Sequence, residues 1–337
     1  MKIENKNIVL QVNLNGGSYF DFHFKDMLVN PINWRNEDPD NPPFMGHFLC
    51  FDRWGPPTEA EKKNGFPHHG EANIVDWELL SEPQKKNGLI ESSMKCWLPM
   101  GGLQLKRDIK LSEEDPVFFV KEEIKNQNKY GRMFNMVQHV TIAPPFLDNC
   151  TLFDNNTEKG FENKEDGTLD QEYPVLKWPE INYKEKKFSL RQFQNDWPRV
   201  SSFVLNSNDQ YGWATACNPQ KGFMLGYVWK REDYPWINFW RSMEKGLPKA
   251  FGMEFGTTGL HEPFPVVAKK GKIFGQNIYD FIDADEVIEK TFMAFLAKIP
   301  EDYNGVEKIE VNGPLLTIKE KDKVSGNIEY SVKDQLQ

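Results

Sequence analysis

Histidine is scarce in this chain, with 6 among 337 residues. Cysteine is scarcer: Cys50, Cys96, Cys150 and Cys217 stand far apart, and no C-x-x-C pair exists. That spacing argues against a structural zinc site built on thiolates. No run of about 18 apolar residues occurs, so no membrane-crossing helix is expected. The opening "MKIENKNIVLQVNLNGG" lacks the apolar core of a secretory leader, so a cytoplasmic protein with reduced thiols is the expectation. The formal charge is −9 and no stripe of Lys and Arg appears, which excludes nucleic acid as a partner. There is no G-x-S-x-G nucleophile elbow. There is no βαβα alternation either, which excludes a doubly wound sheet or a TIM barrel. No internal repeat is present, and nothing in the sequence speaks to oligomeric state.

What the chain has is aromatic residues, 13% of the total, including 25 Phe and 10 Trp. They suit a thick β core, and they equally suit platforms on which sugar rings stack. Short runs between turn residues dominate. "LQLKRDIKL" (103–111) puts Leu103, Leu105, Arg107, Ile109 and Leu111 on one face. "VFFVKEEI" (117–124) and "KGFMLGYVWKR" (221–231) read as further strands, and "KIEVNGPLLTIKEK" as a hairpin about Asn312-Gly313. Only "DADEVIEKTFMAFLAKI" (283–299) has a helical pattern, and its aromatic and β-branched content leaves strand open. Residues 154–196 are polar and read as surface excursions. The expectation is an all-β protein with one domain over 1–320 and a polar tail over 321–337.

Four stretches hold the unusual polar residues. "HFLCFDRWGPP" carries Asp52 and Arg53, either an ion pair or a fork for substrate oxygens. "PHHGEANIVDWEL" carries the adjacent His68 and His69. "NMVQHVTIAPPFL" carries His139 on an apolar strand. "FGMEFGTTGLHEPFP" carries Glu254 among apolar neighbours, where inward burial would raise its pKa toward a general base's range. "YVWKREDYPWINFWR" (227–241) mixes rings with charged tips; Arg231, Trp236 and Trp240 in it are candidate sugar contacts, with core packing as the rival reading. The "HHGE" spacing offers His69 and Glu71 as a weak metal pair, but the usual ligand spacings are missing, so neither a metal nor a cofactor is expected.

The order of these pieces resembles the aldose 1-epimerase (galactose mutarotase) superfamily. His69, Gly70, Ala72, Trp77, Glu78 and Leu79 fall on its His-Gly signature. "FDRWGPP", "VQHVTIAPPFL" and "GMEFGTTGLHEPFP" are similar to its Arg segment, second histidine strand and late glutamate strand. "GGSYFDFHFKDMLVNPINW" is similar to its opening hairpin. The resemblance covers residues from about 15 to 300. It implies a galactose mutarotase-like β-supersandwich with a sugar cleft and no cofactor. It implies Glu254 as the base at the C1 hydroxyl, His139 as the acid at the ring oxygen, and His69 as a hydroxyl contact, with His68 a neighbour facing the other way. The family's Arg after His-Gly is Asn73 here, so either the grip on the sugar changes or Arg53 supplies it. Two other readings stay open: a sugar-binding protein without catalysis, and a polysaccharide lyase or hydrolase relative.

Overall fold

The computed structural model describes residues 1–39, 42–163, 175–183, 186–193, 200–322, 326–332 and 336. Two large antiparallel sheets pack face to face. Along the first, the strands run Lys2–Glu4, Ile8–Val12, Tyr19–Phe24, His47–Asp52, Arg132–Ile142, Leu247–Gly256, Trp236–Glu244, Val200–Leu205 and Thr157–Glu162, with Asp280–Ile282 beside Arg132–Ile142. Along the second they run Leu152–Asn155, Tyr211–Asn218, Phe223–Lys230, Val287–Lys298, Val117–Asn126, Leu103–Ser112, Leu89–Leu98 and Glu78–Lys86. The architecture is all-β, as the sequence pattern predicts, and a sandwich of large antiparallel sheets, as the resemblance implies. Among the described residues, no helix is long and apolar enough to cross a membrane.

Period-two alternation decides which residues meet between the sheets. From Arg132–Ile142, the residues Phe134, Met136, Val140 and Ile142 enter the main core. From Leu247–Gly256, Phe251, Met253 and Phe255 do the same. The other sheet answers with Phe118, Tyr227, Trp229 and Phe292. Arg107 lies on the buried face, as its strand predicts, and its guanidinium meets Glu122 at 2.6 Å.

One open reading is decided and two expectations are corrected. The 283–299 segment, left open between helix and strand, is the strand Val287–Lys298. Its Phe292, Ala294 and Leu296 face the main core, while Met293, Phe295 and Ala297 face a second apolar cluster. Burial on both faces erases the alternation that would have marked a strand. Part of the polar tail is also structured: Ile328–Ser331 pairs with Leu315–Glu320, and Val332 and Leu336 are buried in that second cluster, while 323–325, 333–335 and 337 lie outside the described residues. A few well-spaced apolar residues were enough to hold it. Residues 154–196 are not all excursion, because Thr157–Glu162 pairs with Val200–Leu205 in the first sheet and Glu180–Tyr183 pairs with Lys186–Ser189; 164–174, 184, 185 and 194–196 lie outside the described residues.

Candidate active site

The faces of the first sheet that point away from the main core floor a cavity of about 630 Å³. Alternation places the floor. His139 lies directly across from Glu254 on one side and from Phe48 on the other. Glu254 sits between Gly252 and Gly256, which leave its face open; a Cβ at Gly252 would come within 2.5 Å of the Glu254 carboxylate. His139 Nε2 meets Glu254 Oε1 at 3.1 Å, and the Trp54 indole donates to Oε2 at 2.8 Å. The His139 ring stacks on Phe48, centroids 4.2 Å apart, and its Nδ1 lies 2.9 Å from Thr141 Oγ1.

Glu254 is 1% exposed, and among the described residues its partners are a neutral indole and an imidazole, with no Lys or Arg. Burial pushes its carboxyl up to about 8, only partly offset by the Trp54 N–H. Burial drives His139 the other way, well below 6.5. Both shifts favour the neutral forms, a protonated carboxyl beside a neutral imidazole. The 3.1 Å and 2.9 Å contacts accommodate that form, with a protonated Oε1 donating to Nε2 and the ring's remaining N–H, on Nδ1, directed at Thr141 Oγ1.

His69 enters from a turn. Its φ of 62° is left-handed, an uncommon conformation for a residue with a Cβ. Gly70 follows at φ 77°, where a Cβ would stand 2.0 Å from the Phe51 carbonyl oxygen. Only glycine fits there. The left-handed turn breaks strand alternation, so His68 does not face the other way. It lines the same cavity, its ring centroid 4.0 Å from that of His69. His261, from the loop after the Glu254 strand, completes a trio whose nearest nitrogens all lie within 4.8 Å of one another. Four of the six histidines thus line one cavity. The trio does not make a three-imidazole metal site. The Gly55 N–H donates to His69 Nδ1 at 3.1 Å, which leaves the proton of the neutral ring on Nε2 and no lone pair there. Two acceptor-capable rings and one fixed donor suit hydroxyl groups, which give and take hydrogen bonds.

Of the other candidates, one lines the cavity and the rest do not. Trp240 lines the cavity as expected. Trp236 does not: it is buried in a separate cluster and donates to the Asn277 carbonyl at 2.7 Å. Arg231 donates to the Asp209 carbonyl at a turn and does not line the cavity. Asp52 and Arg53 form a structural pair at 2.9 Å; Arg53 also reaches Glu61 and lies 4.2 Å over Phe264, while Asp52 also meets Arg132. Asn73 donates to the carbonyls of His69 and Gly70 and so braces the turn. Arg53 therefore does not stand in for the arginine that Asn73 replaces. Glu71 accepts from the backbone N–H groups of Met100 and Gly101, away from His69's ring. The cations on the cavity wall are Arg35 and Lys249, beside Trp34 and Glu37. They come from strand ends and a loop with no pattern to mark them. Trp54 was legible only as a ring beside Arg53.

No family model matches the sequence, and no curated protein matches it. Solved structures do match. A galactose mutarotase-like protein from Clostridium acetobutylicum superimposes with a TM-score of 0.65 at 13% identity, covering 88% of this chain and 95% of that one. A galactose mutarotase related enzyme from Lactobacillus acidophilus gives 0.62 at 12%, covering 89% and 98%. An Escherichia coli K12 protein provisionally named an aldose 1-epimerase gives 0.61 at 12%, covering 88% and 98%. The fold is galactose mutarotase-like.

Proposed function

We propose that this galactose mutarotase-like chain is an aldose 1-epimerase that interconverts sugar anomers by acid–base ring opening. The observation that carries the reading is the contact of Glu254 with His139, 3.1 Å apart on the floor of the cavity. Ring opening needs a proton taken from the C1 hydroxyl and one given to the ring oxygen. A pair that shares one proton supplies an acceptor and a donor together, each positioned transfer being worth about 10²–10⁴-fold. Transfer across the 3.1 Å contact turns the resting pair into carboxylate and imidazolium. In that form Glu254 takes the C1 proton and His139 protonates the ring oxygen. The chain opens, C1 turns about its bond to C2, and reverse transfers close the other anomer. The fixed Nε2–H of His69 donates to a sugar oxygen, and Trp240 and Trp34 provide apolar walls. No step in this sequence requires a cofactor.

The test is anomer exchange by NMR on neutral, phosphorylated and acidic sugars, with wild type beside Glu254→Gln. The reading expects faster exchange on at least one sugar, lost in the variant. Line broadening from binding in both proteins, without exchange on any sugar, would make the cleft a binding site and not a catalytic one.

A further inference from the structure

We propose that the two-residue segment Trp54–Gly55 is the positioning element of the cleft, directing the Glu254 proton onto the oxygen that faces His139 and fixing the tautomer of His69. Both bonds are on the structure. The Trp54 indole N–H reaches Glu254 Oε2 at 2.8 Å, and the Gly55 N–H reaches His69 Nδ1 at 3.1 Å. An indole nitrogen only donates. Oε2 therefore accepts, a role that a carbonyl oxygen fills better than a hydroxyl oxygen, so a protonated Glu254 favours its hydrogen on Oε1. That is the oxygen 3.1 Å from His139 Nε2. Without the indole N–H, only the imidazole would favour Oε1, and forms with the proton on Oε2, pointing away from it, would gain weight.

The donor itself is held rigidly. Trp54 is 2% exposed, packed with Phe44, Phe48, Cys50 and Val137. Its ring meets His261 edge-on, centroids 4.8 Å apart at 82°. Gly55 has φ 106°, a conformation that side chains rarely adopt, and a Cβ there would stand 3.3 Å from the His261 ring. A neutral donor also suits the task. A Lys or Arg at this point would hold the carboxyl ionised and abolish the shared proton, whereas an indole orients it without adding charge.

The inference rests on the acid–base reading of Glu254, but its tests need no sugar, so absence of turnover would not count against it. In wild type, the Trp54 indole ¹⁵N–¹H resonance, identified by its loss in Trp54→Phe, should move with pH along the Glu254 titration. It should lose that movement in Glu254→Gln. An indole signal that ignores the Glu254 titration overturns the proposal. In Trp54→Phe, which keeps a ring and deletes the donor, the Glu254 carboxyl should titrate higher by the order of one unit. On any sugar turned over, kcat should fall about tenfold while KM stays within roughly twofold. A folded Trp54→Phe with the wild-type carboxyl titration would reduce Trp54 to packing. Should Trp54→Phe fail to fold, the indole resonance, assigned instead by through-bond correlation to the Trp54 backbone, still decides through its titration in wild type and Glu254→Gln.

Discussion

Two buried carboxylates, Glu122 and Glu254, are each 1% exposed, yet the protein treats them in opposite ways. Glu122 lies between the sheets. It meets the Arg107 guanidinium at 2.6 Å and accepts from the Gln138 amide at 2.6 Å. Its charge is balanced and it forms part of a polar network that also holds His47 and Tyr234. Glu254 lies under the cavity with neutral neighbours, and its carboxyl is pushed up to about 8. The contrast passes through one strand. Gln138 and His139 are consecutive in Arg132–Ile142, so alternation sends one to each acid. A carboxylate given a cation becomes structure, and one denied a cation is left able to move a proton.

Breaking the core pair should have the largest effect. Arg107→Leu leaves Glu122 buried without its counter-charge, which costs about 3–5 kcal/mol of stability, measured by denaturant unfolding. Removing both partners, as Arg107→Leu with Glu122→Leu, should recover most of that loss.

Glu254→Gln should leave the fold intact and lower turnover by about 10²–10⁴-fold. Its stability should behave oppositely to that of the core variant. The folded carboxyl titrates near 8 against 4.5 for the free group. The stability linked to that proton is fully present below 4.5 and is lost as pH rises through 8. Gln has no proton to lose, so the variant should gain on wild type between those pH values, seen as converging or crossing unfolding midpoints. The buried His69, held well below 6.5, acts in the other direction: it costs stability as pH falls below that value, in both proteins.

The smallest effect belongs to the pair that sequence reading placed in the cleft. Arg53→Gln should lower stability by roughly 1–2 kcal/mol, through loss of its contacts with Asp52 and Glu61. KM for any sugar turned over should change by less than roughly threefold. A tenfold rise in KM would return Arg53 to the cavity.

Much of this was legible beforehand. Alternation in 103–111 put Arg107 on the buried face before any partner was known. Alternation also put His139 on a strand, and Glu254 stood out among apolar neighbours and glycines, but their pairing as base and acid came only from the resemblance. What the sequence hid follows from departures from alternation. The strand Val287–Lys298 is buried on both faces and mimicked a helix. The left-handed His69 put His68 in the cavity, although adjacent residues on a strand diverge. Arg53 and Trp54 are also adjacent, and their roles were exchanged: the charged side chain drew notice and is structural, while the ring carries the bond to Glu254. Donor direction, which no spacing reveals, made that difference.

The most direct test is the titration of Glu254 itself, followed by the ¹³C shift of its labelled carboxyl in wild type with Glu254→Gln for assignment. The account predicts a carboxyl that is protonated at pH 7 and titrates near 8. A carboxyl that titrates near 4.5, the value of an ordinary glutamate, would mean that Glu254 and His139 do not share a proton, and the distinction drawn between the two buried acids would fail.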